Sequence, residues 1–127
     1  MTTSAAGASR LFHVALATDW EAARESGTYT TSTRGVSLEQ EGFVHASRAD
    51  QWRGVHERFY ADCPEALVLL EIDPALLGCD VVDEPVEPGR ADAETFPHVY
   101  GPVPAAAVVR VLPLDEALRE SPGWPPG

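Results

Sequence analysis

Lysine is absent from this chain: all nine basic residues are arginine, which excludes Schiff-base chemistry and a P-loop lysine. Cysteine is scarce as well. Cys63 and Cys79 stand sixteen positions apart, without C-x-x-C spacing and with no signal peptide expected ahead of them, so both read as reduced thiols of a cytoplasmic protein. No apolar run approaches the roughly eighteen residues of a membrane span, and the run from Ala66 to Leu70 suits a single buried strand. Positive charge is thin too. Nine basic against twenty acidic residues leave a formal charge of -11, so the overall field opposes a phosphate backbone and excludes nonspecific nucleic-acid binding.

What is present is ordinary for a folded protein: 127 residues with 44% hydrophobic and 23% charged side chains, enough for one core without a disulfide or a structural metal. Met1 to Ser9 and Ser121 to Gly127 lack periodicity or are broken by proline and read as tails. A single domain is expected over residues 10–120, as a monomer or small homo-oligomer.

Leu11 to Ala17 reads as a buried strand, and Thr18 with Glu21 has capping-box spacing for a helix that stops at Gly27. Residues 28 to 42 predict only a weak strand near Tyr29 and a loop. Phe43 to Ala46 is a short strand feeding a helix from Arg48 to Ala61, with Ser47 and Asp50 as cap partners and Trp52, Val55 and Phe59 as its apolar stripe. Ala66 to Asp73 predicts a central strand. Further strands are expected at Cys79 to Asp83 and Ala106 to Leu112, an exposed excursion at Glu84 to Thr95, and a helical turn at Asp115 to Glu120. The fold class is α+β, with two main helices covering a face of the sheet.

Three of the four histidines lie on or beside strands: His13 in Leu-Phe-His-Val, His45 in Gly-Phe-Val-His-Ala-Ser and His98 in Phe-Pro-His-Val-Tyr-Gly-Pro. Imidazole titrates near neutrality and serves as acid, base or ligand, so three that converge would form a site, whereas singly each reads as a core residue. His45 and Ser47 share one face of a strand. Proline and aromatic residues around His98 make a stiff turn on which a base or a nicotinamide can stack, or which simply anchors the last strand. Arg48, at the start of a helix, reads as a solvated residue or as a grip for phosphate.

These segments, with the Gln51 to Tyr60 helix and the Leu-Leu-Glu-Ile-Asp strand from Leu69 to Asp73, closely resemble an uncharacterised bacterial family known as domain of unknown function 952. Ala46 departs from the family, which usually has cysteine there. The resemblance covers about residues 10 to 114 and implies the ADP-ribosyltransferase-like fold, a compact split β-sheet core whose cleft holds nicotinamide adenine dinucleotide (NAD) in active relatives. It implies His13, His45 and His98 as catalytic residues, His45 and Ser47 as ribose or phosphate contacts, and Tyr60, Tyr100 and Phe43 as stacking surfaces. Glu41 and Glu71 are the candidate carboxylates, with His98 as their substitute. The expected function is an NAD-dependent ADP-ribosyl or phosphoryl-ribose transferase with no metal. A noncatalytic module holding a small nucleotide-like ligand is the alternative, and a three-histidine zinc site is a third reading.

Overall fold

The computed structural model describes residues 10–33, 35–85 and 94–119. Both expected tails, Glu120 and most of the expected acidic excursion lie outside the described residues. The fold is α+β, as the sequence pattern predicts, and is organised around two three-stranded antiparallel sheets.

In the first sheet β1 (Leu11–Leu16) and β10 (Val108–Pro113) flank β6 (Leu67–Ile72), which is central as expected. The β1 register runs from Leu11 opposite Ile72 to Leu16 opposite Leu67, and places His13 opposite the fully buried Leu70. Alternation sends Phe12 and Val14 to one face and Leu11, His13 and Ala15 to the other. Each face has its own core. Phe12 and Val14 join Trp52, Tyr60 and Leu114, while Leu11 and Ala15 join Trp20, Tyr29, Leu70 and Val103.

Helix α1 (Ala17–Ser26) therefore covers one face, and α3 (Trp52–Val55) with α4 (Leu114–Arg119) covers the other, which corrects the expectation that both main helices share a face. The start of α1 also differs from expectation. Leu16 is its N-cap, without a side-chain cap, because the Ala17 N–H still donates to Ala66 O at 2.9 Å and pairing runs directly into the helix. Gly27 ends it as predicted, at φ 92° with its N–H on Ala23 O, a conformation that costs a side-chain-bearing residue more than glycine.

The segment read as a loop is more ordered than its composition suggests. β2 (Thr28–Tyr29) pairs with β9 (Val103–Pro104), and β3 (Thr31–Thr33) forms a hairpin with β4 (Val36–Ser37). Ser37 and Gln40 then make a reciprocal capping box on the single-turn α2 (Leu38–Glu41), which Gly42 ends at φ 94°. Strands of two or three residues leave no periodicity to read.

The second sheet contains β5 (Val44–His45), β8 (Thr95–Val99) and β7 (Val81–Pro85), with His45 directly opposite His98. The two sheets meet at one bridge. Phe12 and Ser47 exchange both backbone hydrogen bonds at 2.7 Å, so the chain leaving β5 docks on the free edge of β1. The expected Ser47–Asp50 cap does not form, because the helix begins later, at Trp52 with Gln51 as its N-cap. Instead the Arg48 N–H donates to Gln51 Oε1 at 2.9 Å. Among the described residues no helix is long and apolar enough to cross a membrane.

Candidate functional site

Where β5 passes from one sheet to the other, a cleft of about 740 Å³ opens between the joint, the β3 strand and the α3 helix. That volume suits a ligand of nucleoside or nucleotide size. His13, His45, Ser47 and Tyr60 line it, as do residues that the sequence did not assign to a site: Ser32 and Thr33 on β3, and Asp50, Gln51, Glu57, Arg58, Phe59, Glu94 and Phe96.

The helical wall follows from a change of pitch. His56–Tyr60 continues α3 as a π-helix, whose wider turn shifts each side chain around the axis relative to α-helical spacing. Trp52 and Tyr60, eight positions apart, become the buried pair, at 0% and 3% exposure. Phe59, expected on the core stripe with Trp52 and Val55, is instead 45% exposed and forms part of the cleft wall.

His13 is fixed on both sides of its ring. Nδ1 lies against the His45 carbonyl and Nε2 is 3.0 Å from the Tyr29 hydroxyl. A carbonyl only accepts, so Nδ1–H must donate to it, leaving the neutral Nε2 to accept the Tyr29 O–H. Burial lowers the His13 pKa to about 4 and raises that of Tyr29, because each charged form would be desolvated. His13 is thus a neutral strut that holds the β5 backbone in place.

His45 is different. Its side chain keeps 28% of its exposure, and Nε2 faces Glu41 Oε2 at 3.8 Å. Burial and the neighbouring His98 lower its pKa, against an opposing pull from Glu41. A neutral, half-exposed imidazole with a carboxylate beside it can take a proton and share it.

His98, Phe43, Tyr100 and Glu41 gather around His45 but stand outside the cleft lining. The Phe43 ring stacks on His98 at 4.0 Å, and His45 meets the His98 ring edge-on at 4.7 Å. His98 Nδ1–H donates to Glu84 Oε1 at 2.8 Å, and the Tyr100 hydroxyl donates to the same oxygen. These two bonds hold the Glu84 carboxyl below its ordinary pKa, while the carboxylate raises that of Tyr100. His98 Nε2 is buried and, among the described residues, has no hydrogen-bond partner.

The structure thus brings His13, His45, Ser47 and Tyr60 to one wall and reaches His98 only through His45. Arg48 is committed elsewhere, to Asp83 Oδ1 at 3.0 Å and Thr95 O at 2.7 Å, clamping β7 and β8. Glu71 is tied to Arg110 at 2.9 Å. Both ring nitrogens of His13 are engaged within the fold, and among the described residues no group of three histidine, cysteine or acidic side chains gathers to hold an ion.

The carboxylates missed by sequence reasoning are Asp50, Glu57 and Glu94. Gln51 holds Glu94 through Nε2 at 2.9 Å, while Asp50 and Glu57 are exposed. A helical projection shifted by one residue for the π turn would have found Glu57.

A family model described as a protein of unknown function, DUF952, matches residues 14–111. The chain belongs to this family. Among solved structures, a crystal structure of protein CC0527 from Caulobacter crescentus is 23% identical with a TM-score of 0.68, over 87% of this chain and 99% of that one. The solution structure of CC0527 is 24% identical with a TM-score of 0.62, over 82% of this chain and 83% of that one. At such identity the likeness carries the DUF952 fold alone. No curated protein matches this chain.

Proposed function

We propose that this DUF952 domain binds a pyridinium N-riboside of the NAD type in its cleft, and that it is a split-sheet relative of the ADP-ribosyltransferase-like enzymes. The observation that carries this reading is the cleft itself. The neutral His45 with Glu41 beside it, the hydroxyls of Ser32, Thr33 and Ser47, the carboxylates Glu57 and Glu94 and the rings of Tyr60, Phe59 and Phe96 all belong to one ligand-sized space or its immediate support. Each has a task in glycosyl transfer: hydroxyls and backbone orient ribose, rings support the base, and a carboxylate stabilises the positive charge that develops at the anomeric carbon.

In the proposed step the bond between C1′ and the pyridinium nitrogen breaks, and nicotinamide leaves neutral with the bonding electron pair. A water or acceptor hydroxyl forms the new bond to C1′, and its proton passes to the neutral imidazole of His45, beside Glu41, and then to solvent. His13 positions His45 through the backbone, and His98 packs the other side of its ring.

A second reading, a module that holds its ligand unchanged, is supported by one specific feature: of the three strand histidines only His45 has both cleft exposure and an uncommitted role. One titration separates the readings. The purified chain is titrated with NAD by calorimetry while free nicotinamide is assayed in the same samples, beside His45→Ala. Binding with release that the variant loses supports the enzyme. Saturable binding without release leaves the module, and failure of both NAD and nicotinamide riboside to bind removes both.

A further inference from the structure

The charge and chemistry of the cleft discriminate among pyridinium ribosides, on the reading that such a compound is its ligand. The NAD pyrophosphate carries two negative charges and needs cationic partners. Among the described residues the lining offers three carboxylates, Asp50, Glu57 and Glu94, against one guanidinium, Arg58. Arg48, the nearest candidate for a phosphate grip, spends its guanidinium on Asp83 and the Thr95 carbonyl. The long-range field has the same sign, since the whole chain carries -11. NAD and the mononucleotide, net anions because their phosphate charge outweighs the single positive charge of the pyridinium ring, meet repulsion at both ranges, and the cationic riboside meets attraction.

Two further features suit a cation with a sugar attached. Tyr60, Phe59 and Phe96 bring aromatic surface to the wall, and such faces attract a positively charged ring. Ser32 is fully buried, lines the cleft, and its hydroxyl has no hydrogen-bond partner among the described residues. A buried hydroxyl left unpaired in the fold is costly unless something supplies the missing bond. A ribose hydroxyl has the matching donor and acceptor.

We infer that the cleft selects a phosphate-free pyridinium nucleoside, nicotinamide riboside in chemical class, over its mononucleotide and over NAD. Affinity falls when the riboside is phosphorylated, to a similar level for the mononucleotide and NAD. The preference is electrostatic, so it shrinks as salt is raised, and it depends on Glu57 and Asp50, whose exposed side chains can be neutralised without disturbing the core.

The test is calorimetric titration of the full chain with nicotinamide riboside, nicotinamide mononucleotide and NAD, at low and at physiological salt. The expected result is a riboside Kd about tenfold below that of NAD, with the mononucleotide close to NAD because its monoester phosphate carries nearly the same charge as the diphosphate, and the ratio narrowing at the higher salt. Glu57→Gln, and independently Asp50→Asn, should each cut the riboside-to-NAD ratio several-fold while leaving the melting temperature in place. NAD binding as tightly as the riboside overturns the inference but leaves the ligand class standing, as does a ratio that neither neutralising variant changes. If none of the three compounds binds, the proposed ligand class falls and takes the inference with it.

Discussion

The two three-stranded sheets use the same residue to opposite ends. In the first, strands of six residues bury His13 to 4% exposure and engage both ring nitrogens, so the imidazole is reduced to a neutral polar strut. In the second, β5 is two residues long and β7 leaves Val81 and Val82 exposed, and the imidazoles there keep unmet capacity: His45 faces the cleft and His98 Nε2 has no partner among the described residues. The six-residue strands around His13 leave neither of its ring nitrogens unpaired, because an orphan there is costly, whereas His98, paired on both sides and 2% exposed, keeps one.

The contrast is sharpest in stability. Leu70, fully buried on the central strand of the first sheet, should lose about 2–5 kcal/mol on change to Ala, read as a drop in the urea midpoint. Val82→Ala on the exposed edge of the second sheet should stay within about 0.5 kcal/mol. Similar losses at both positions would erase the distinction between a load-carrying sheet and a thin one.

Next comes the acid response of the strut. Burial puts the His13 pKa at about 4, below the ordinary 6.5, so between those values the unfolded chain binds a proton that the native state refuses. Stability from this site is complete above pH 6.5, falls as pH is lowered through that window, and levels off below about 4, for a total of roughly 3 kcal/mol. Subtracting the stability-against-pH curve of His13→Gln should isolate that slope. A flat difference curve would show that folding leaves the His13 pKa at its unfolded value.

A smaller effect tests the support of the thin sheet. The Ser37–Gln40 capping box orders the turn immediately before Gly42, Phe43 and His45, and Gln40→Ala should cost about 1 kcal/mol. An unchanged denaturation midpoint would mean the turn is held by its neighbours alone.

The same asymmetry decided what could be read from sequence. β1, β6 and β10 follow from apolar runs long enough to show themselves, and Gly27 marked the end of α1. The sequence grouped His13, His45 and His98; His13 and His45 share a wall, and His98 touches His45 from outside the cleft lining. The cleft's remaining chemistry was hidden for two physical reasons. Ser32 and Thr33 sit on a three-residue strand with no periodicity, and the π turn at His56–Tyr60 rotates Phe59, Arg58 and Glu57 away from where α-helical spacing puts them. Arg48 was read as a solvated residue or a phosphate grip, and neither reading could show its partners, Asp83 and Thr95, which are distant in sequence and meet it only through the sheet. The Ser37–Gln40 box, by contrast, was written in the sequence as S-x-x-Q and is a signal that pattern reading can recover.

The smallest stability effect is the most diagnostic of the site. Ser32 belongs to the cleft wall, yet its hydroxyl is wholly buried and unpaired among the described residues. If that hydroxyl serves only a ligand, removing it relieves the fold of a desolvated polar group, and Ser32→Ala should leave stability unchanged or raise it by up to about 1 kcal/mol. The same variant should weaken riboside binding, because the ribose then loses a partner that water cannot replace in a buried position. Loss of more than about 1 kcal/mol in the free protein would mean that the hydroxyl already has a partner within the chain. Ser32 would then belong with His13, as a polar group that long-range packing has completed, and the division between the two regions would fall at β5 instead of taking in β3.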